Sequence, residues 1–193
     1  MITRFGSVLA TLALAAAPLA LAQTSTWVPD KAHSEVDFSI LHMSLTNIHG
    51  RFGNIGGKVV LNDADITKSN VNVTIDVSTV DTGVAQRDAD LKSDHFFDVA
   101  HFPTATFTST SVTKSGDGLT VAGNLTLHGV TKPVVLQVQG PVGPVTGLDK
   151  KPHTGFSATT TVKRTDFGLG TQYPAAVVGD DVKLTIDFDV EKE

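Results

Sequence analysis

Cysteine is absent from this sequence of 193 residues, and basic residues are in the minority. The missing cysteine excludes a disulfide scaffold, a zinc module with cysteine ligands and a lipid-modified N-terminal cysteine. Acidic residues outnumber basic ones by 20 to 15. Because no stripe of Lys or Arg appears either, a basic nucleic-acid-binding protein is excluded and no nucleic-acid partner is expected.

Motifs of the common enzyme families are missing as well. The sequence has no Gly-x-Ser-x-Gly nucleophile elbow, no phosphate-binding loop and no cysteine nucleophile. It contains seven histidines, but no His-x-His or His-Glu-x-x-His spacing that would place two of them on one metal ion. We therefore predict that the protein is not an enzyme and that it holds neither a metal nor a cofactor.

Residues 1–22 have the pattern of a secretory signal peptide. A positively charged start precedes the apolar segment 8–17, and Ala20 and Ala22 are small residues at the −3 and −1 positions. The apolar segment is shorter than the roughly 20 residues that span a membrane. We therefore expect cleavage after Ala22 and no stable membrane anchor. The mature chain, residues 23–193, would form one domain in the periplasm or outside the cell.

The mature chain has the composition and periodicity of a many-stranded fold. Val, Thr and Ile are abundant, which favours strands, and 17 Gly and 8 Pro supply turns. Apolar and polar residues alternate with period two, which predicts about eight antiparallel strands. The alternating segments are 36–40, 55–61, 71–77, 104–112, 119–127, 134–138, 156–162 and 182–190. The pattern leaves a sandwich and a barrel equally open.

Two segments interrupt the alternation. Residues 82–98 carry many charges and few β-branched side chains, and they follow a cap-like Asp81-Thr82, which predicts one or two turns of helix. Residues 139–155 contain three prolines and four glycines, which predicts a long irregular connection. Neither segment requires a domain boundary.

Several separated blocks carry a resemblance to a known family. They are VDFSILH (36–42), GRF (50–52), STVDT (78–82), RDADLKS (87–93), FFD (96–98), FPTATF (102–107) with STS (109–111), GNLTLHGVTK (123–132) and RTDFG (164–168). In this order they resemble the YceI-like family, secreted bacterial proteins that bind polyisoprenoids and related lipids. The clearest departure is Ala89, where the family usually carries a bulkier residue, often His.

The resemblance implies an all-β fold, an antiparallel lipocalin-like barrel with a short helix covering one end. It also implies a hydrophobic tunnel that holds an isoprenoid or another long-chain amphiphilic lipid, and, because dimers occur in the family, a homodimer. Strands of about ten residues tilted near 40° give a barrel roughly 25 Å tall, so a longer tail must fold back or protrude. The expected ligand-binding residues are Phe38, Ile40, His42, Phe52, Val73, Ile75, Phe97, Phe107, Leu125, Leu127, Leu136, Ile186 and Phe188.

His42 is in phase with Phe38 and Ile40, so its imidazole should face the barrel interior. There it would either hold the polar head of a ligand or bond to a neighbouring strand or to the helix. The glycines at 57 and 123 also face inward. They would either leave room for a ligand or serve as bends in the strands.

The charged residues of the predicted helix have two interpretations. Arg87, Asp88, Asp90 and Asp94 would form a rim that meets a polar head group, or a set of helix caps and ion pairs that closes the barrel. Phe96, Phe97 and Phe102 are expected on the underside of the helical segment.

Three functions remain open at this point. The first is a periplasmic lipid-binding protein that carries or stores its ligand. The second is an enzyme acting on such a lipid, with His42 as its acid or base. The third is a structural or stress-response barrel that is filled by its own side chains.

Overall fold

The computed structural model describes residues 23–193, so the predicted signal peptide at 1–22 lies outside the described residues. These residues form ten strands and one α-helix. The strands are β1 (Thr24–Pro29), β2 (Glu35–His42), β3 (Thr46–Phe52), β4 (Ile55–Asn62), β5 (Asn70–Asp76), β6 (Thr104–Ser115), β7 (Gly118–Leu127), β8 (Val130–Thr146), β9 (Pro152–Lys163) and β10 (Val178–Lys192), and the helix is α1 (Ala85–Lys92). Short 3₁₀ turns lie at Ile66–Lys68, Val77–Thr79 and Arg164–Phe167.

Eight strands close into a ring of antiparallel pairs. The order is β1-β4-β5-β6-β7-β8-β9-β10, and β10 pairs again with β1. β2 pairs with β10 beyond the residues that β1 uses, and β3 pairs with β2. β1 with β2 and β3 with β4 thus form two long strands, each interrupted once. The predicted all-β barrel of about eight strands is confirmed.

The period-two alternation did not predict β1 or β3. In β1 the inward positions include Ser25, whose hydroxyl accepts a hydrogen bond of 2.8 Å from the Trp27 indole nitrogen. In β3 an inward position is Gly50, which lies beneath the ring of Phe38. These strands were missed because a polar residue in β1 and a glycine in β3 stand at inward positions, where the alternation pattern requires an apolar side chain.

The predicted irregular connection at 139–155 is wrong. β8 continues through most of this segment, and only residues 147–151 form the loop before β9. The pairing of β7 with β8 ends at Val138, so beyond this residue β8 pairs with β9 alone. Pro141 and Pro144 lie on this stretch, where the register shifts twice. A free strand edge and bulges are the places where a proline breaks no ladder hydrogen bond.

The helix predicted within 82–98 is confirmed as α1, but its start differs from the predicted cap. The N-cap residue is Val84, which provides no side-chain cap. Thr82 lies two residues earlier, and its backbone N–H and hydroxyl both donate to Asp88 Oδ1, at 2.9 and 2.5 Å. A first-turn carboxylate therefore ties the helix back to the preceding turn. Among residues 23–193 no helix has the length and apolar character needed to cross a membrane.

The two glycines that were predicted to face inward differ: Gly123 is buried, whereas Gly57 is exposed, so the prediction is wrong for Gly57. A Cβ atom at Gly123 would collide with the ring of Phe107. Gly57 has a φ of 107°, and a Cβ atom there would collide with the backbone of Asn72 and Val73. The ring of Phe107 thus occupies the space beside Gly123, and Gly57 provides a positive φ where β4 lies close to the backbone of β5.

Candidate functional site

A cavity of about 360 Å³ lies inside the barrel beneath α1. Its volume falls within the range of about 300–1,000 Å³ that is typical of small-molecule sites. β2, β7 and β10 supply aliphatic and aromatic side chains to its wall, and α1 and the loop at 168–177 cover it. Its exposed lining residues are Leu41, Asp90 and Val177, so the mouth lies between the end of β2, the loop and α1.

The structure divides the predicted ligand-binding residues among three places. Eight of them line the large cavity: Phe38, Ile40, His42, Phe52, Ile75, Phe97, Leu125 and Leu127. Leu136, Ile186 and Phe188 line a separate cavity of about 80 Å³. Val73 and Phe107 are buried in the hydrophobic core. Contact of these residues with a ligand stays a prediction.

Two chain segments meet to form the roof of the cavity. The ring of Phe96 stacks on that of Tyr173, with centroids 5.4 Å apart and planes inclined by 12°. The backbone N–H of Gly170 donates to the carbonyl of His95 at 3.0 Å. The segment after α1 and the loop at 168–177 therefore cover the barrel as one unit.

The aromatic residues predicted beneath the helix are only partly there. Phe97 lines the cavity and meets the ring of Phe52 edge to face, with centroids 5.5 Å apart. Phe96 also lines it. Phe102 instead packs against the imidazole of His128 at 4.8 Å. Phe102 is therefore not part of the cavity lining.

Arg164 holds the roof loop in place, and sequence reasoning did not single it out. Its side chain is buried, with an exposed fraction of 3% for the residue. The guanidinium donates to the carbonyl oxygens of Leu169 (2.8 Å), Gly170 (2.5 Å), Tyr173 (2.7 Å), Val178 (2.9 Å) and Gly179 (3.0 Å). Because all these partners are backbone groups, no residue type could reveal them. The one available signal was the family block RTDFG.

His42 lines the cavity, as its phase in β2 predicted, and is half-buried. Within residues 23–193 its imidazole makes no hydrogen bond to another side chain or to a carbonyl. By contrast, His128 contacts the carbonyl of Phe167 at 3.1 Å, and His95 contacts Asp90 at 3.0 Å. The described part of the chain thus provides no partner that would satisfy His42 as a structural histidine.

Arg87 also lines the cavity. Its contacts show whether it forms one of the ion pairs that were predicted to close the barrel. Its Nε and Nη2 donate to the hydroxyl and the carbonyl of Thr82, at 2.8 and 2.9 Å. No carboxylate among residues 23–193 lies within 4.0 Å of its guanidinium. Arg87 therefore forms no ion pair in this part of the chain, and the start of the helix is held by Thr82 and Asp88 instead of by the predicted cap.

Histidines and carboxylates gather on the outer surface at the other end of the barrel. His153 contacts Asp189 through Nδ1 at 2.7 Å and Asp149 through Nε2 at 3.1 Å. His33 contacts Asp30 at 2.8 Å. The hydrogen bond to Asp189 raises the pKa of His153, and the hydrogen bond to Asp30 raises the pKa of His33. The contacts of His153 join the loop before β9 to β10, whereas the His33–Asp30 pair lies within the turn after β1.

Two triplets at this end have the residue types of metal ligands. Possible ligand atoms lie within 4.8 Å of one another in Asp30, His33 and Asp189, and again in Asp149, His153 and Glu191. The ammonium of Lys151 lies 2.8 Å from a Glu191 oxygen and competes for it. Sequence spacing could not find these triplets, because their members come from distant segments. The predicted absence of a metal stays a prediction.

A known protein family matches almost all of the described chain. The family model described as YceI-like domain matches residues 27–190. The chain belongs to the YceI-like family. Protein YceI of Salmonella newport is 40% identical to it over 161 residues, which are 81% of each chain. The resemblance carried by the sequence blocks is confirmed.

Solved structures share the YceI-like barrel. BcnA of Burkholderia cenocepacia superposes with a TM-score of 0.74 at 23% identity, over 83% of this chain and 98% of that chain. A polyisoprenoid binding domain from Saccharophagus degradans superposes with a TM-score of 0.62 at 20% identity, over 89% of this chain and 100% of that chain. Because the two sequence identities are only 23% and 20%, these superpositions show that the fold is shared.

Proposed function

We propose that the protein binds an isoprenoid or another long-chain amphiphilic lipid in the cavity beneath α1, as its carrier or store in the periplasm. The observation that carries this proposal is an apolar cavity with polar groups at one end only. Its polar lining residues are His42, Thr82, Arg87, Asp90, Arg164 and Tyr173. All of them belong to the roof or to strand ends beside it, so a tail would lie deep and a head near the mouth.

Burial of the tail supplies the affinity. Each CH₂ group transferred from water contributes about 0.8 kcal/mol, so a few isoprene units reach micromolar affinity after the costs of association. A tail longer than the barrel, roughly 25 Å, folds back or leaves through the mouth. The fold shared with a polyisoprenoid binding domain supports this class of ligand.

Two side chains are available to the polar head. The imidazole of His42 has no hydrogen-bond partner among residues 23–193, and Arg87 has no carboxylate within 4.0 Å among them. A guanidinium donates to hydroxyl, carbonyl and phosphate oxygens. The head is therefore a group that accepts hydrogen bonds.

Native mass spectrometry of protein purified from its host, followed by organic extraction, tests this function. A long-chain lipid bound in a one-to-one ratio is expected. Protein that stays empty when offered isoprenoid alcohols in detergent would support a structural barrel instead. Conversion of the added lipid to a new product would support an enzyme.

The periplasmic location is part of the proposal and rests on the signal-peptide pattern of residues 1–22. Cleavage after Ala22 would leave Gln23 as the first residue of the exported protein. Intact-mass measurement of the periplasmic fraction should find this mature form. A full-length protein fixed in the membrane would contradict export in soluble form.

A further inference from the structure

Exposed apolar side chains border one side of the cavity mouth. Leu41 lies near the end of β2, Met43 and Leu45 lie in the turn between β2 and β3, and Val177 lies at the end of the roof loop. Met43 and Leu45 are exposed to 54% and 81%. The backbone N–H of Met43 donates to the carbonyl of Val177 at 2.8 Å, so the two segments are joined. These four residues are called the lip.

The turn that carries the lip is not built for local stability. Met43 and Ser44 have φ values of 50° and 57°, and the N–H of Leu45 donates to the carbonyl of His42 at 2.9 Å. A β-turn whose two central residues both have positive φ is most stable with Asn and Gly at those positions. Methionine in this conformation is disfavoured. Met43 is thus an exposed apolar residue at a position where Asn or Gly would be more stable.

The two chain segments that carry the lip contain no charged residue. Residues 40–48 and 167–179 contain no Asp, Glu, Lys or Arg, although charged residues make up 18% of the chain. Apolar side chains enter the boundary between lipid head groups and acyl chains readily when no charge has to lose its water with them. An uncharged, apolar projection therefore complements the interface of a bilayer.

We propose that the lip docks onto the surface of a lipid bilayer and places the cavity mouth against it. This inference rests on the proposed lipid-binding function. Leu41 and Val177 line the cavity as well as the lip, whereas Met43 and Leu45 stand outside it. The four residues thus place apolar side chains both at the outer surface and at the rim of the cavity. A lipid tail that moves along these side chains crosses between the bilayer and the cavity with less exposure to water.

Flotation with vesicles of phosphatidylethanolamine and phosphatidylglycerol tests the docking. The variant Met43→Asn/Leu45→Ser removes the two outermost side chains, and Asn tolerates the positive φ of Met43, so its melting temperature should equal or exceed that of the wild type. Its partition onto vesicles should fall by roughly tenfold or more. The matched control is Val145→Ser/Leu148→Ser, two exposed apolar residues at the opposite end of the barrel. The control should partition like the wild type.

Lipid loading separates this inference from the proposed function. The lip variant should reach wild-type occupancy with an isoprenoid alcohol offered in detergent, but should take it up from vesicles more slowly. Equal vesicle partition of wild type and lip variant would overturn the docking. A wild-type dimer that floats with no vesicles and that the lip variant dissociates would also overturn it, because the lip would then be covered by a second copy. If no variant loads lipid from detergent, the proposed function fails, and flotation still decides the docking.

Discussion

The two ends of this barrel are built from the same alternating strands but differ in what they hold. At the α1 end the interior contains a cavity of about 360 Å³. At the other end Trp27 packs with Val59, Leu61 and Val190, and the interior cavity nearby is only about 80 Å³. The α1 end encloses a cavity, whereas the Trp27 end is filled by packed side chains.

The closure of the sheet accounts for the difference. At the Trp27 end β1 pairs with both β4 and β10 and completes the ring. At the α1 end β3 pairs with β2, and the one bridge on its other side in the described chain joins Arg51 to Asp81. Where the sheet does not seal the barrel, a roof of helix and loop has to do so. The helix and loop enclose a cavity at the α1 end. At the Trp27 end, where the sheet is closed, inward side chains fill the interior.

The largest effect should follow from loosening the roof. Arg164→Leu would leave buried carbonyl oxygens of the roof loop without donors. The cost of unsatisfied buried groups predicts a loss of about 3–5 kcal/mol in the free energy of unfolding. Urea denaturation measures it. The neighbouring Lys163→Leu serves as control, since the Lys163 side chain is largely exposed and should change stability by less than about 1 kcal/mol. Similar losses in both variants would contradict the anchoring role of Arg164.

Filling the large cavity should remove binding. Leu125→Trp places a large ring in the cavity beneath α1 and should cost about 1–3 kcal/mol of stability through overpacking while abolishing lipid uptake. Leu136→Trp fills the small cavity instead, and should cost similar stability but leave uptake intact. Circular dichroism checks the fold, and titration with an isoprenoid alcohol measures uptake. If the second variant alone lost binding, the ligand would lie at the Trp27 end.

Replacement of His42 should lower the affinity for a ligand that carries a polar head group. His42→Phe should reduce the affinity for an isoprenoid alcohol by about 1–2 kcal/mol, because a hydrogen bond of the ligand is left unpaired, and leave the affinity for a hydrocarbon without a head unchanged. Its melting temperature should stay at the wild-type value. His128→Phe should instead lower the melting temperature and leave the affinity for the isoprenoid alcohol unchanged, because it removes the contact with the carbonyl of Phe167. Equal losses for the two ligands would contradict the contact of His42 with a head group.

The smallest effect should come from protonation at the Trp27 end. Hydrogen bonds to carboxylates raise the pKa of His153 and of His33 above 6.5. Their stabilising contribution is therefore complete below pH 6.5 and is lost as the pH rises through the raised values. The melting temperature should fall as the pH rises above 6.5, and His153→Gln should reduce the fall. The same variant should bind lipid normally, since His153 lies far from the cavity; altered lipid affinity would couple the two ends.

The sequence predicted the barrel and its helix but not every strand. The alternation of apolar and polar residues is clear in β5, where Val71, Val73 and Ile75 share one face. It fails in β1 and β3, where Ser25 and Gly50 face inward. It also fails in the second half of β8, because the prolines there are tolerated only at an edge that the pairing creates.

The sequence by itself determined the fold class, the family and the inward phase of residues such as His42, because these depend on local periodicity and on short motifs. Only the tertiary structure decided which inward residues share a cavity. Leu125 and Leu136 lie on adjacent strands with the same inward phase, yet they line different cavities. The partners of Arg164 and His153 were likewise set by tertiary contacts. Periodicity specifies the face on which a side chain lies, whereas closure of the ring specifies its height in the barrel and its neighbours.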